Sequence, residues 1–373
     1  MARIAVGIGT PTGPNPGPYR GLLRFGRLVG MDSLVFFDHL QDFTPRAIWR
    51  SPGFSWIAER QGSPHAQGEP FAFLAHLARS AGRVRLGVGV TETMRHHPVT
   101  VAQSAVTLAT MTRRPPILGI GAGERMNTEP YGIPFDRPVS RFEEAIQIIR
   151  KCLDEPGSVD FAGEFFTLER APFDLAAPGG RPEIWVAAHG PRMLRIAGRY
   201  ADGWLPSMGS SPARYGDGLR QVQESAREAG RNPEAITPSL QIGMVLAPTK
   251  EEAAEALRSR NTVFHAVASG TPEAWRAAGY EHPLGAPYRG FVDLIPEALD
   301  LRQVETAMAD VPDEVLQQAY LWGTVDNVVA SIRELGDAGL RHISLIPSSY
   351  FISKRLANYT WRAFPSLVRH LRK

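Results

Sequence analysis

The sequence predicts an α/β fold, a (β/α)8 TIM barrel with insertion segments over the C-terminal mouth of its strands. The prediction depends on three observations: a length of 373 residues, eight short apolar runs, and helical stretches between several of them. The runs are apolar at consecutive positions, as in parallel strands covered by helices on one face and by packed side chains on the other. Eight such runs with intervening helices favour a closed barrel over an open sheet.

The elements follow one another in the order that a barrel requires. Residues 263–324, which lie between the predicted helices 251–262 and 325–338, are expected to be mostly irregular. The helical stretches are 19–31, 99–111, 192–200, 251–262 and 325–338. The strand candidates are 4–9, 34–38, 84–90, 117–121, 184–188, 203–206, 241–247 and 343–347.

A further helix follows the fourth strand. Ser140 and Glu143 have the spacing of a capping box, in which two side chains bond free backbone N–H groups at a helix start. Phe142, Ile146 and Ile149 then follow at helical spacing and share one face. The pattern predicts a helix that begins at Ser140 and buries this face.

We expect a single domain over residues 1–373, because no linker, internal repeat or low-complexity tract interrupts the chain. Three segments exceed a minimal barrel: the first insertion segment (41–68), the second (158–182) and the third (266–310). The second is predicted to contain a hairpin. We expect the first and third to cover the mouth as lids.

Composition excludes several classes of protein. Apolar residues make up 43% and charged residues 21%, which excludes a disordered chain, a coiled coil and a collagen-like fibre. The 41 Lys+Arg and 38 Asp+Glu residues nearly balance, so we expect no nucleic-acid partner. No apolar stretch reaches the roughly 18 residues that span a bilayer, so we expect no integral membrane association. A single cysteine and a glycine-broken N-terminal run indicate a cytoplasmic protein.

The end of the second strand carries the first candidate site residues. Ligands of barrel enzymes bind at the C-terminal ends of the strands. Asp38 and His39 are adjacent there and point to opposite sides of an extended backbone, so one can face the mouth while the other braces a loop. His39 is then either a proton donor to a carbonyl group or a histidine fixed in a polar loop.

The fourth strand ends in Gly121, Ala122, Gly123 and Glu124. The glycines allow a flat ligand to approach the backbone closely. The segment is not a dinucleotide fingerprint, because Met126 occupies the sixth position. Glu124 either hydrogen-bonds a ring nitrogen or a phenolic donor, or caps the following loop.

The fifth strand ends in Ala188, His189, Gly190 and Pro191, directly before an apolar helix. Proline fits the first helical turn, and the free amides around it suit a phosphate group. The histidines of the chain are scattered without the spacing of metal ligands, so we expect no metal site.

Several short motifs occur in a fixed order along nearly the whole chain. In this order they resemble the bacterial-luciferase-like superfamily, in particular its branch dependent on the deazaflavin coenzyme F420. Within the branch, segments 129–132, 185–195 and 281–285 are similar to the mycobacterial phthiodiolone ketoreductases. The motifs are 37–39, 86–91, 95–98, 120–124, 141–145, 187–193, 198–204 and 323–325.

The resemblance implies a role for each candidate. Asp38 and His39 match a pair at the deazaflavin ring, with His39 near the transferred hydrogen, and Glu124 matches a glutamate beside the ring and the substrate. The other matching positions imply contacts with the cofactor. They are a non-prolyl cis peptide at Gly89 and Val90, then Thr91, the backbone of Gly121, Ala122 and Gly123, and a phosphate turn of Ala188, His189, Gly190 and Pro191.

The sequence departs from the sugar-phosphate dehydrogenases of this branch. Their tryptophan after the histidine is absent, with Phe43 the nearest aromatic residue, and their phosphate-binding lysines have no clear counterpart. Aromatic residues instead occur in the first and third insertion segments, where each one either lines the mouth or packs the lids together. As a set they exceed what two short loops need, so we expect a small-molecule or peptidic substrate that is bulky and apolar. These residues are Trp49, Phe54, Trp56, Trp275, Tyr280, Tyr288 and Phe291.

We therefore predict a reductase that binds reduced coenzyme F420 and transfers hydride to a ketone or an activated C=C or C=N bond. His39 is the first candidate proton donor and Glu124 the second. The alternatives are an FMN-dependent monooxygenase on the same barrel, an F420-dependent dehydrogenase that runs in the oxidative direction, and a binding subunit without activity. A homodimer is compatible with the predicted barrel.

Overall fold

Eight parallel strands close into a barrel in the computed structural model, which describes residues 3–155 and 157–372. The ring runs β1-β2-β3-β4-β7-β8-β9-β11 and returns to β1, which confirms the predicted (β/α)8 barrel. In these described ranges the strands are β1 (Ala5–Thr10), β2 (Ser33–Phe36), β3 (Arg85–Glu92), β4 (Ile117–Gly121), β5 (Gly157–Ala162), β6 (Thr167–Phe173), β7 (Glu183–Val186), β8 (Gly203–Trp204), β9 (Thr237–Leu246), β10 (Tyr320–Gly323) and β11 (His342–Pro347).

Helices surround the ring and build its outer layer. The main apolar core lies between them and the strands, with side chains such as Leu34, Leu86 and Ile184 fully buried. The helices are α1 (Gly17–Val29), α2 (Arg46–Trp49), α3 (Pro70–Ala81), α4 (Pro98–Met111), α5 (Pro138–Asp154), α6 (Pro191–Tyr200), α7 (Pro212–Glu228), α8 (Lys250–Leu257), α9 (Arg260–Ser269), α10 (Pro272–Ala277), α11 (Leu301–Met308), α12 (Asp313–Ala319), α13 (Val325–Asp337), α14 (Ser349–Ile352) and α15 (Lys354–Arg372).

Each of the eight predicted strand regions contributes a strand to the ring, but two predictions between the seventh and eighth are wrong. The predicted helix 251–262 is two helices, because the Ser259 side chain caps a new helix by accepting a hydrogen bond from the Thr262 N–H. The stretch 263–324 is not irregular, since it contains most of α9 and all of α10, α11 and α12. It also contains strand β10, which extends the sheet of eight barrel strands to nine. Strand β10 pairs in parallel with the last four residues of β9.

The predicted capping box of α5 is also wrong. The helix begins at Pro138, whose ring fixes φ for the first turn, and no side chain caps it at Arg137. Ser140 and Glu143 therefore lie inside the helix, where both accept hydrogen bonds from Arg192 at the start of α6. The predicted apolar face of α5 is buried as expected.

Strand β3 is irregular where it reaches the mouth of the barrel. The peptide bond between Gly89 and Val90 is cis, as the resemblance implies. The pairing with β4 shifts register between Val88 and Thr91. A side chain at Gly119 of β4 would collide with the carbonyl oxygen of Val88, so the two strands approach closely only because this residue is glycine.

The insertion segments contain short elements and contact one another. The second forms the predicted antiparallel hairpin, β5 with β6. The first and third meet where the ring of Phe43 stacks on that of Phe291 with centroids 3.8 Å apart. They meet again where His65 Nε2 lies 2.8 Å from Glu297 Oε1. That all these elements form one domain stays a prediction.

None of the helices in the described ranges is both long enough and apolar enough to cross a membrane.

Candidate active site

A cavity of about 1640 Å³ opens at the C-terminal ends of the barrel strands. All thirteen residues that the sequence singled out for catalysis or cofactor binding line it, so the structure brings the predicted set together. Their individual roles stay predictions. They are Asp38, His39, Gly89, Val90, Thr91, Gly121, Ala122, Gly123, Glu124, Ala188, His189, Gly190 and Pro191.

Asp38 is held by a network of polar side chains at the wall of the cavity. Its carboxylate accepts a hydrogen bond of 2.5 Å from the Thr91 hydroxyl, and it lies 3.3 Å from the Arg95 guanidinium and 3.5 Å from His96 Nε2. Burial alone would raise the pKa of Asp38, but His96, Arg95 and Thr91 together hold it well below the usual range. Asp38 is therefore an ionised residue that braces the loop after β3.

His39 points the other way, as the alternation of an extended backbone predicts, and faces Glu124. Its Nε2 lies 3.5 Å from Glu124 Oε2. Burial lowers the pKa of His39 to about 4, although the charges of Asp38 and Asp42 oppose the shift. Burial raises the pKa of Glu124 to about 8, and the negative charge of Glu92 adds to that effect.

The two pKa shifts fix the protonation of this pair near neutral pH. They favour a neutral imidazole at His39 and a protonated carboxyl at Glu124, so the pair carries no net charge and its acidic proton lies on Glu124. Because the Glu124 side chain is 22% exposed, and this exposure faces the cavity, its proton is accessible to a ligand. The pKa shifts and this exposure point to Glu124 rather than His39, although the sequence ranked His39 first, and which of the two donates the proton stays a prediction.

Two aromatic rings stand beside the pair. Phe43 packs edge-on against His39 with ring centroids 4.8 Å apart, and Phe291 stacks on Phe43. Of the seven aromatic residues predicted over the mouth, Trp49, Trp275 and Phe291 line the cavity. The prediction is wrong for the other four, which pack or hydrogen-bond within the insertion segments and their neighbours. They are Phe54, Trp56, Tyr280 and Tyr288.

The predicted phosphate turn lies at one end of the cavity, which we call the polar arm (Ala188–Pro191, Ser207 and Arg214). No side chain of the described residues caps α6 at Gly190, so the first N–H groups of the helix are free to bind an anion. His189 Nε2 lies 2.9 Å from the Ser207 carbonyl oxygen and fixes the turn to the end of β8. The Arg214 guanidinium lines this arm and forms no ion pair within 4.0 Å with a described residue, although its charge helps to lower the pKa of Glu273, which also lines the cavity.

The floor of the cavity carries an unpaired polar atom. Gln241 is 9% exposed, and its side-chain oxygen is buried without a hydrogen-bond partner among the described residues. A Cβ placed on Gly89 would lie 3.5 Å from this oxygen, so the carboxamide lies against the strand with the cis peptide. An unpaired acceptor here and free N–H groups in the polar arm fit a ligand with a planar N–H-bearing ring and an anionic tail.

Several residues of the site escaped the sequence analysis. Arg95 and His96 belong to a recognised motif, but their contact with Asp38 depends on how the loop after β3 folds back. Gln241 resembles any polar residue in a buried strand, and its only signal was its place in an otherwise apolar run. Arg214 follows a capping serine, Ser211, and offered no signal of its own.

Comparison with known proteins identifies related chains. The family model described as luciferase-like monooxygenase matches residues 53–342. The phthiodiolone/phenolphthiodiolone dimycocerosates ketoreductase of Mycobacterium tuberculosis is 40% identical over 336 residues, which cover 89% of this chain and 88% of that one. The F420-dependent glucose-6-phosphate dehydrogenase of Nakamurella multipartita is 28% identical over 345 residues, covering 91% and 88%.

A solved structure has the same fold. The coenzyme F420-dependent tetrahydromethanopterin reductase from Methanopyrus kandleri superposes with a TM-score of 0.76 at 21% identity, covering 98% of this chain and all of that one. At this identity the likeness supports the barrel and its strand order.

Proposed function

This chain belongs to the luciferase-like monooxygenase family, and we propose that it is a coenzyme F420-dependent reductase. Its acceptor is the electrophilic carbon of a ketone, or of an activated C=C or C=N bond, in a bulky hydrophobic or natural-product substrate. Two relatives support the proposal by name, one a ketoreductase and the other F420-dependent.

The observation that carries the proposal is the position of His39 and Glu124, 3.5 Å apart in the cavity, where burial favours a neutral imidazole and a protonated carboxyl. When bound, the reduced deazaflavin supplies a hydride to the carbonyl carbon. Glu124, with its pKa raised to about 8, donates its proton to the carbonyl oxygen as the alcohol forms. The carboxylate that remains lies beside neutral His39 and regains its proton from solvent.

The same proton supports the reductive direction. An oxidation of an alcohol needs a base that removes a proton, and His39 with a pKa of about 4 is a weak base. A reduction needs an acid with a pKa close to the operating pH, which Glu124 provides. Asp38, ionised and hydrogen-bonded, keeps the loop of Thr91, Arg95 and His96 in place beside the ring site.

The polar arm suits the anionic tail of the cofactor. The N–H groups at the start of α6 and Arg214, whose charge is partly offset by Glu273, provide positive potential at this end of the cavity. The side-chain oxygen of Gln241, which has no hydrogen-bond partner among the described residues, would accept a hydrogen bond from a ring N–H of the cofactor.

The acceptor side of the cavity favours an apolar substrate. Phe43 and Phe291 form a stacked wall next to His39. Lysine occurs only at positions 151, 250, 354 and 373, and none of the three described lysines lines the cavity. We therefore expect turnover of hydrophobic ketones and little or none of glucose 6-phosphate.

Parallel titrations with coenzyme F420 and FMN test the proposal. We expect a micromolar or tighter dissociation constant for coenzyme F420 and at least tenfold weaker binding of FMN, a difference of about 1.4 kcal/mol. Reduced coenzyme F420 is then oxidised when a hydrophobic ketone is added. Equal or tighter binding of FMN together with oxygen consumption would favour the monooxygenase alternative and overturn the proposal.

A further inference from the structure

We propose that the cavity has a second, apolar arm that binds the hydrocarbon chain of the substrate, away from the reacting carbonyl. The apolar arm lies between the loop after β1, helix α1 and the last two helices. This inference rests on the proposed function, because it takes the acceptor to be an apolar carbonyl compound. Its walls include Pro11, Pro18, Leu22, Phe25, Tyr350 and Trp361.

The apolar arm is continuous with the reaction site. The backbone N–H of Phe37 donates to the carbonyl oxygen of Thr10, which places the start of the loop after β1 beside the second strand. The ring of Phe37 lies 5.9 Å from that of His39. Since Phe37, His39, Glu124 and the walls of the arm line one cavity, a chain attached to a carbonyl carbon at His39 and Glu124 can extend past Phe37 into the arm.

The walls carry no charge. From Thr10 to Phe25, and at Tyr350, Phe351 and Trp361, the described residues that line the cavity are apolar or neutral. No cation lines this arm among the described residues, and the N–H groups at the start of α1 are occupied, since Gly17 donates to Asn15 Oδ1, Tyr19 donates to the Pro16 carbonyl oxygen, and Pro18 has no N–H. The arm therefore offers nothing to the anionic tail of a cofactor. The polar arm supplies both a cation and free N–H groups at the other end of the cavity. The difference in charge assigns the cofactor tail to one arm and an apolar chain to the other.

Contacts with the first insertion segment hold the arm in shape. Trp56 Nε1 donates to the carbonyl oxygen of Tyr350, and the Ser55 hydroxyl donates to that of Phe351, both at 2.6 Å. The rings of Phe25 and Trp361 pack edge to face at 5.9 Å. A binding site fixed in this way loses little conformational entropy when an apolar chain enters.

Gly21 offers a way to block the arm without disturbing the fold. It lines the cavity on α1, and a Cβ placed on it would have no atom within 4 Å. A tryptophan side chain thus has open space to occupy, and replacing glycine inside a helix favours the helix. The matched control is Leu28→Trp, because Leu28 lies on the same helix, is 87% exposed and does not line the cavity.

The test measures the affinity of methyl ketones of increasing chain length, from butanone to methyl undecyl ketone, with and without oxidised coenzyme F420. In the wild type we expect the affinity to rise about fourfold for each added methylene. This ratio corresponds to the transfer free energy of one methylene group from water into an apolar site. In Gly21→Trp the rise stops once the chain reaches the new side chain, while butanone and coenzyme F420 bind as in the wild type. Leu28→Trp keeps the full rise.

Each other outcome counts against the apolar arm. A wild-type affinity that does not depend on chain length overturns it, and so does an unchanged rise in Gly21→Trp. Loss of butanone binding in Gly21→Trp would show that Gly21 belongs to the reaction site instead. The proposed function can fail while the apolar arm stands. In that case the affinity for ketones still depends on chain length, but coenzyme F420 does not bind or the ketones are not reduced.

Discussion

Two carboxyl groups lie at the mouth of the same barrel and are in opposite states. Asp38 has three polar partners, Thr91, Arg95 and His96, which keep its pKa low and the group ionised. Glu124 lies beside neutral His39 and accepts a hydrogen bond of 3.2 Å from Asn127 Nδ2, and burial, with the negative charge of Glu92 at a distance, raises its pKa to about 8. Environments that push two pKa values apart separate a structural residue from a proton donor.

The largest effect that we expect from this comparison is on turnover in Glu124→Gln. The amide keeps the shape of the side chain but carries no acidic proton, so ketone reduction falls by about 10²–10⁴-fold. Steady-state kinetics with reduced coenzyme F420 measures it, and the affinity for the cofactor stays close to that of the wild type. As a control, Glu129→Gln changes an exposed carboxylate that pairs with Arg125 outside the cavity, and it leaves turnover unchanged. Wild-type turnover in Glu124→Gln would remove Glu124 from the mechanism.

Asp38→Asn is expected to affect stability instead. Removing the charge leaves Arg95 with Glu92 as its only close anionic partner among the described residues, and the free energy of unfolding falls by about 3 kcal/mol. The pKa of Asp38 is lowered in the fold, so its stabilising effect is present above the ordinary value of 3.8 and is lost as the pH falls further. Urea unfolding at pH 7 and at acidic pH measures the difference, which should shrink in acid. The surface variant Asp136→Asn should show no such difference.

The smallest effect is expected for His39→Ala. If His39 positions the Glu124 carboxyl without giving up a proton itself, its removal costs about one hydrogen bond, or roughly tenfold in turnover. The exposed His76, which contacts Arg20, serves as the control through His76→Ala. A loss in His39→Ala larger than in Glu124→Gln would restore His39 as the donor.

The ring of strands could be predicted from sequence because continuous apolar runs are a direct consequence of burial on both faces. Strand β10 could not, because Tyr320 directly follows the last residue of α12, with no glycine or proline to mark the change. The division between α8 and α9 was missed for a similar reason, since a single capping serine produces it.

The candidate site divides in the same way. The strand-end rule and the resemblance placed Asp38, His39 and Glu124 around one cavity, because both depend only on position along the chain. The difference between the two carboxyl groups could not be predicted, because it depends on which side chains surround each of them. Four of the predicted aromatic residues proved to be packing or hydrogen-bonded residues of the lids, since composition does not show which way a ring points.

The pH dependence of a single turnover tests the central claim most directly. Reduced coenzyme F420, bound to the enzyme, is mixed with a hydrophobic ketone, and the appearance of oxidised cofactor is followed by its absorbance. Because Glu124 donates only while protonated, the rate should be constant below a pH of about 8 and fall about tenfold for each pH unit above it. In Glu124→Gln the slow residual rate should not depend on pH in this range. A wild-type rate that rises with pH, or a fall that persists in Glu124→Gln, would contradict the assignment of the proton to Glu124.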